Sequence, residues 1–124
     1  MVKINRYNIM ITEQEKMNIK VAVYIPSTIN INKHFDNKEY LQLVLKVMAE
    51  CFGGATQQRV LGAWLSQHDG IVQEGVNIVY SYCTRSQYEQ YIDKIKNLCE
   101  FLKNELQQEA ISLEITKGSE LQFI

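Results

Sequence analysis

Apolar and polar residues alternate through Ile19-Lys20-Val21-Ala22-Val23-Tyr24-Ile25, a period of two that sends Ile19, Val21, Val23 and Ile25 to one face of a strand. Pro26 ends that strand or bends its edge, having no amide to give a ladder. The period then lengthens: Leu41, Val44, Leu45, Met48 and Phe52 recur at helical spacing. Ahead of them, Asp36-Asn37-Lys38-Glu39 offers a D-x-x-E capping pattern, and behind them Gly53-Gly54 supplies the residue type that stops helices.

Thr56 to Leu65 reads as a second strand, and Ser66-Gln67-His68-Asp69-Gly70 as a hairpin turn whose Asp-Gly pair suits positive φ. A third strand follows from Ile71 to Cys83. Its inner face is predicted to be Val76, Ile78, Tyr80 and Tyr82, because the alternate set contains the polar Asn77 and Ser81. Gly75 within it points to a bulge or a close backbone approach. Ser86-Gln87-Tyr88-Glu89 has capping-box spacing, and the stripe Tyr88, Tyr91, Ile95, Leu98, Leu102 and Leu106 predicts a long second helix. Ile111, Leu113 and Ile115 alternate in a last strand, after which Lys117-Gly118-Ser119 turns the chain toward a short return strand with Leu121 and Phe123.

The order β-α-β-β-α-β, with short connections and right-handed crossovers, closes most simply as a ferredoxin-like α+β fold: four antiparallel strands with both helices on one face. Lys20, Ala22, Tyr24 and Val79 are expected on the uncovered face, which is apolar enough to suggest a second subunit, an amino-terminal arm or a ligand. Residues 1–16 read as an extension, a strand or a mobile arm, and 17–124 as one domain. A chain of 124 residues supports one core, and 46% hydrophobic with 22% charged residues is ordinary for a globular protein.

With 13 basic and 14 acidic residues the net charge is −1, so no summed field favours nucleic acid or an anionic membrane. Cys51, Cys83 and Cys99 are odd in number and form no C-x-x-C pair, and the amino terminus reads without a secretory core. The expectation is a soluble protein in a reducing, cytoplasmic setting, with the three thiols acting as small buried hydrophobes. No apolar run approaches the ~20 residues that span a bilayer.

Chemistry-bearing candidates are few. Gly53-Gly54 could present amides to an anion, but phosphate loops precede a helix and these glycines follow one, so the helix-stop reading wins. Trp64 could stack on a planar ligand. Glu74 faces Trp64 only in one hairpin register, and beside an indole it could work as an acid or base. Arg59 could supply positive charge, as could Arg85 near the start of the second helix, although Arg59 and Trp64 have opposite strand parity. His34 and His68 stand in polar loops with no second ligand at metal spacing, so neither a metal nor a cofactor is expected.

Phe52-Gly53-Gly54-Ala55-Thr56, then Gly62-Ala63-Trp64, then Asp69-Gly70 and Glu74 make the densest unusual stretch. With Gln108 to Glu114 it resembles an uncharacterised family of short bacterial, plasmid and phage proteins that share FGGAT, a GxW, and a glycine turn followed by glutamate. The likeness runs over most of the chain from Val21. It implies the fold and a mobile-element setting; that family has no established activity, so no mechanism comes with it.

The absence of a catalytic signature favours a non-enzymatic, homo-oligomeric binding protein that sequesters a small anionic or nucleotide-like molecule through Arg59, Trp64, Glu74 and Arg85. One alternative is a small dimeric isomerase or lyase using Glu74 or His68 as acid or base. Another is a regulator that meets nucleic acid or protein through the open sheet face.

Overall fold

Val21, Val23 and Ile25 have no exposed surface, which makes the first alternating segment the centre of the molecule. In the computed structural model, described over residues 16–29, 33–34 and 36–124, β1 (Met17–Pro26) leads through the two-residue strands β2 (Thr28–Ile29) and β3 (Lys33–His34) to α1 (Lys38–Phe52). Then come β4 (Thr56–Ser66), β5 (Gly70–Cys83), α2 (Arg85–Glu105) and β6 (Leu113–Leu121). The main sheet has the order β4-β5-β1-β6 with every neighbouring pair antiparallel. This is the expected ferredoxin-like βαββαβ arrangement, with β2 and β3 pairing separately. Residues 1–15, which carry the expected amino-terminal extension, lie outside the described residues.

Both helices cover the face presented by Ile19, Val21, Val23 and Ile25, against which Val44, Met48 and Phe52 of α1 and Ile95 and Leu102 of α2 pack. Register fixes what β5 adds. Val23 stands opposite Val79 and Ile19 opposite Cys83, so Asn77, Val79, Ser81 and Cys83 face the helices and are buried. The predicted inner face of β5 is therefore inverted, and Val79 belongs to the core while Tyr80 and Tyr82 share the open face with Lys20, Ala22 and Tyr24. The polar residues enter the core because each has a partner there. The Ser81 hydroxyl donates to the Gly54 carbonyl (2.6 Å), and the Asn77 side-chain oxygen accepts from Gln57 Nε2 (3.2 Å).

The helix ends differ in detail from expectation. Asp36 does accept the Lys38 amide (3.0 Å), but Asn37 occupies the cap position and turns its side chain back to the Pro26 carbonyl (2.7 Å). Gly53 stops α1 in the left-handed region (φ 89°), its amide bonded to the Ala49 carbonyl. The box on α2 lies two residues earlier than predicted: Thr84 accepts from the Gln87 amide and Gln87 accepts from the Thr84 amide. No return strand forms at the carboxy-terminal end. β6 runs on through Leu121 along β1, its register shifting between Ile19 opposite Lys117 and Met17 opposite Leu121, with Gly118 at φ 91° taking up the irregularity.

Val44 and Ile95 are fully buried. Val44→Asp and Ile95→Asp are each expected to unfold the domain, since an uncompensated core charge costs several kcal/mol against a typical total of about 5–15. Thermal melts of the two variants check this, and a wild-type transition in either would overturn the assignment of its helix face.

The three cysteines are free and buried. Burial pushes the Cys83 thiol up to about 12 and the Cys99 thiol up to about 11, and it raises Cys51 against a small opposing pull from Lys94. For a group whose folded value is raised, the stabilisation is complete below the unfolded value and fades as pH rises through the folded one. Stability is thus expected to fall above about pH 9, the ordinary thiol value, as the unfolded thiols ionise. A thiol reagent at pH 8 should modify none of the three until denaturant is added, and rapid labelling of the native protein would contradict the burial.

Candidate functional site

β1 stops at Pro26 opposite Val76, and after the Ser27 amide bonds to the Gly75 carbonyl (3.1 Å) no described strand continues beside β5. The remaining part of the hairpin, from Leu61 opposite Gly75 to Ser66 opposite Gly70, stands out as a two-stranded arm. At about 3.3 Å per residue it projects roughly 20 Å. Ser66 Oγ closes its turn by accepting from the amides of His68 (3.2 Å) and Asp69 (3.3 Å), with Gly70 at φ 71°. Leu61 and Leu65 are 75% exposed and Ile71 65%, all on the helix-side face, while Trp64, 44% exposed, lies on the other.

The register settles the relation of Trp64 to Glu74. Trp64 stands opposite Val72 and Glu74 opposite Gly62, so the two share a face as diagonal neighbours and are not directly across from each other. Arg59, opposite Asn77, is on the helix side, and its guanidinium crosses Gly75: a Cβ there would meet Arg59 Nη2 at 3.3 Å and Ser27 Oγ at 3.6 Å. The groups close to Gly75 are thus the side chains of Arg59 and Ser27, and not the backbone approach expected from the sequence. His68 is exposed in the turn, and His34 belongs to the small β2-β3 ladder opposite Thr28.

Arg85 is the first residue of α2, where its Nε pairs with Glu89 Oε1 (3.0 Å). It borders a groove of about 400 Å³ with Tyr88, Lys117 and Asn18, and the Lys117 ammonium lies 5.3 Å from the Tyr88 ring centre. Its guanidinium is thus engaged, and the Gln87 amide of the first turn is taken by Thr84. Arg85 follows the end of β5, whereas Trp64 is level with Val72, a separation of roughly 36 Å along the strand. One chain does not bring Arg59, Trp64 and Arg85 to a common ligand.

A different constellation forms at the FGGAT segment. β4 begins at Thr56 opposite Tyr80, so beyond that point β5 is flanked by the Gly53-Gly54 turn, tied down by the Ser81 hydroxyl. On the open face this leaves a concavity of about 280 Å³ lined by Gly53, Gly54, Tyr80, Tyr82, Met17 and Phe123. The Tyr80 and Tyr82 rings meet edge to face, centres 6.2 Å apart, and the Lys20 ammonium sits 4.5 Å from the Tyr80 centre. Farther along, the open face satisfies itself: the Tyr24 hydroxyl donates to Glu114 (2.6 Å), a bond that raises the tyrosine's pKa, and Ala22 is fully covered. Sequence reasoning missed the tyrosines as site residues because it placed them in the core. Their signal in the sequence was the i, i+2 spacing, which puts both on one face of a strand. Among the described residues no group of three or more His, Cys, Asp or Glu is placed to hold a metal. No helix of the described residues is long and apolar enough to cross a membrane.

No family model matches this sequence, and no curated protein matches it significantly. The fold is similar to that of a phage SAM lyase solved in complex with S-methyl-5′-thioadenosine, 13% identical over 91% of this chain and 92% of that one, with a TM-score of 0.63. A phage SAM lyase in its apo state aligns over 85% of each chain at 13% identity and a TM-score of 0.60. CutA1 from Pyrococcus horikoshii OT3, in a mutant form, aligns over 84% of this chain and 86% of its own at 12% identity and a TM-score of 0.51. Identities this low establish a shared fold, and function has to be argued from the site.

Ser81→Ala removes the side-chain bond to the Gly54 carbonyl and leaves the helix-stop turn untethered. The expected loss is about 1 kcal/mol, a drop of a few degrees in melting temperature. Calorimetric melts check it; an unchanged transition would mean that the tether does not hold the turn.

Proposed function

We propose that this protein binds a small nucleoside derivative in the concavity between the Gly53-Gly54 turn and the Tyr80-Tyr82 pair. The observation that carries the reading is this tyrosine pair, set beside a turn of exposed glycine backbone. Aromatic faces stack on any base, and glycines let backbone amides and carbonyls approach the sugar and base edges. Lys20 brings one positive charge to Tyr80, and none of the lining residues is charged. That suits a derivative of low net charge, with at most a carboxylate, better than a di- or triphosphate. The anionic nucleotide of the sequence reading is narrowed accordingly, and the Arg59 and Arg85 roles fall away.

The fold shared with a phage protein that holds S-methyl-5′-thioadenosine supports the nucleoside class, and the resemblance of the FGGAT segment to phage and plasmid proteins agrees with a mobile-element setting. Sequestering such a molecule needs no acid-base group. A second reading, cleavage of S-adenosylmethionine, is favoured by Glu74: it is half-buried on the same sheet face as the tyrosines and opposite a residue with no side chain. Within one chain Glu74 is roughly 20 Å along β5 from Tyr80, so its carboxylate could take a proton from a substrate in the concavity only where a neighbouring subunit brings it there.

Calorimetry with adenosine, S-methyl-5′-thioadenosine, S-adenosylmethionine and ATP tests both. The uncharged or weakly charged nucleosides are expected to bind and ATP is not, and Tyr82→Ala should weaken binding by roughly 5- to 150-fold, the range for losing one stacked base. Equal affinity in Tyr82→Ala would overturn the site. Release of S-methyl-5′-thioadenosine from S-adenosylmethionine, followed by chromatography and abolished in Glu74→Gln, would select the second reading; tight binding with no product would select sequestration.

A further inference from the structure

We propose that a second copy of this chain completes the site, laying the Trp64 and Glu74 face of its β4-β5 arm over the Tyr80-Tyr82 concavity. The proposal rests on the reading above only for what the site holds.

Three observations converge on it. The arm is apolar on both faces: Leu61, Leu65 and Ile71 on one and Trp64 on the other are between 44% and 75% exposed. Trp64 is the large exposed apolar side chain on the face that docks, and Leu61, Leu65 and Ile71 make a separate patch on the other. A strand pair with no neighbouring strand among the described residues is covered most economically by the same surface available at equal concentration, another copy.

The concavity is also incomplete. At about 280 Å³ it is at the small end of the ~300–1,000 Å³ of ligand sites and is not enclosed, and Tyr80 and Tyr82 of its lining lie on the side of the sheet away from the helices. Trp64 and Glu74 point to that same side of the sheet as Tyr80 and Tyr82. Within one chain, however, Trp64 is level with Val72, roughly 26 Å from Tyr80 and 33 Å from Tyr82 along β5. No bend of a paired strand closes that gap, whereas an arm some 20 Å long reaches across to a neighbouring subunit. The net charge of −1 sets little repulsion against the approach.

Sedimentation at tens of micromolar is expected to give an integer multiple of 14.4 kDa for the wild type and the monomer mass for the Trp64→Asp variant, whose change falls at an exposed position of the docking face and leaves the melt intact. Trp64→Cys and Tyr82→Cys proteins are then mixed and treated with a short bis-maleimide. A cross-linked pair is expected from the mixture and not from either protein alone, the native thiols being buried. A wild-type monomer overturns the proposal. So does an assembly that gives no mixed cross-link, which would mean that the arm meets another surface, another protein or residues 1–15. Neither measurement uses a nucleoside, so failure of the wild type to bind one would overturn the functional reading alone.

Discussion

Eight residue pairs between β1 and β5, from Ile19 opposite Cys83 to Pro26 opposite Val76, decide nearly everything else about this molecule. Side chains alternate with a strict period of two, so a slip of one residue would put Tyr80 and Tyr82 on the same face as Val21, Val23 and Ile25, sending either the aliphatic set to solvent or the tyrosines into the core. The ladder as formed sends the aliphatic set of β1 and Val79 and Cys83 of β5 to the helices, and it sends Tyr80 and Tyr82 the other way. Pro26, which has no amide to offer, lies where the ladder ends. β5 and β4 continue past it, and the arm exists because β1 does not follow them. A single register thus creates both the tyrosine-lined concavity and the projecting hairpin.

The polar residues of the helix-side face link the core to the site. Ser81 is 3% exposed, and its hydroxyl is spent on the carbonyl of Gly54, in the turn that lines the concavity. A residue that looks like a flaw in a hydrophobic strand is the fastener for the FGGAT segment. Asn77, also 3% exposed, is held by Gln57 from the neighbouring strand. Among the described residues no buried side-chain nitrogen or oxygen lacks a partner, so these positions cost the core little.

Much of the fold was legible in the sequence and less of the site. The alternation in β1, the stripes of both helices, the Gly53 stop and the Asp-Gly hairpin turn all report local preferences, and local preference led directly to the element order. What failed were inferences that needed a partner from elsewhere in the chain. Asn77 and Ser81 marked their face as wet only so long as Gln57 and the Gly54 carbonyl, distant in sequence, were unknown, and that inverted β5. The Thr84 cap was misplaced by two residues because Ser86-x-x-Glu89 has the same spacing as Thr84-x-x-Gln87, and only the backbone distinguishes them. At the carboxy-terminal end Gly118 read as a turn, whereas its positive φ accommodates an irregularity within one strand. The FGGAT, GxW and glutamate elements marked an unusual stretch of sequence without saying how its parts lie in space.

How they meet bears on what the chemistry can be. FGGAT lies at the helix-covered end of the hairpin and GxW with Glu74 on the arm, so the two halves of the unusual stretch are separated by most of the length of β5. If they served independent purposes, a shallow aromatic pocket would hold a nucleoside with one side in water, enough for modest binding and poor for acid-base work. Brought together between subunits, they would put an indole and a carboxylate on the open side of the same ligand. Excluding water strengthens every electrostatic interaction within such a site. Retention and cleavage of the ligand therefore differ by the work of one side chain, and the arm that supplies it is the part of the hairpin that β1 leaves unpaired.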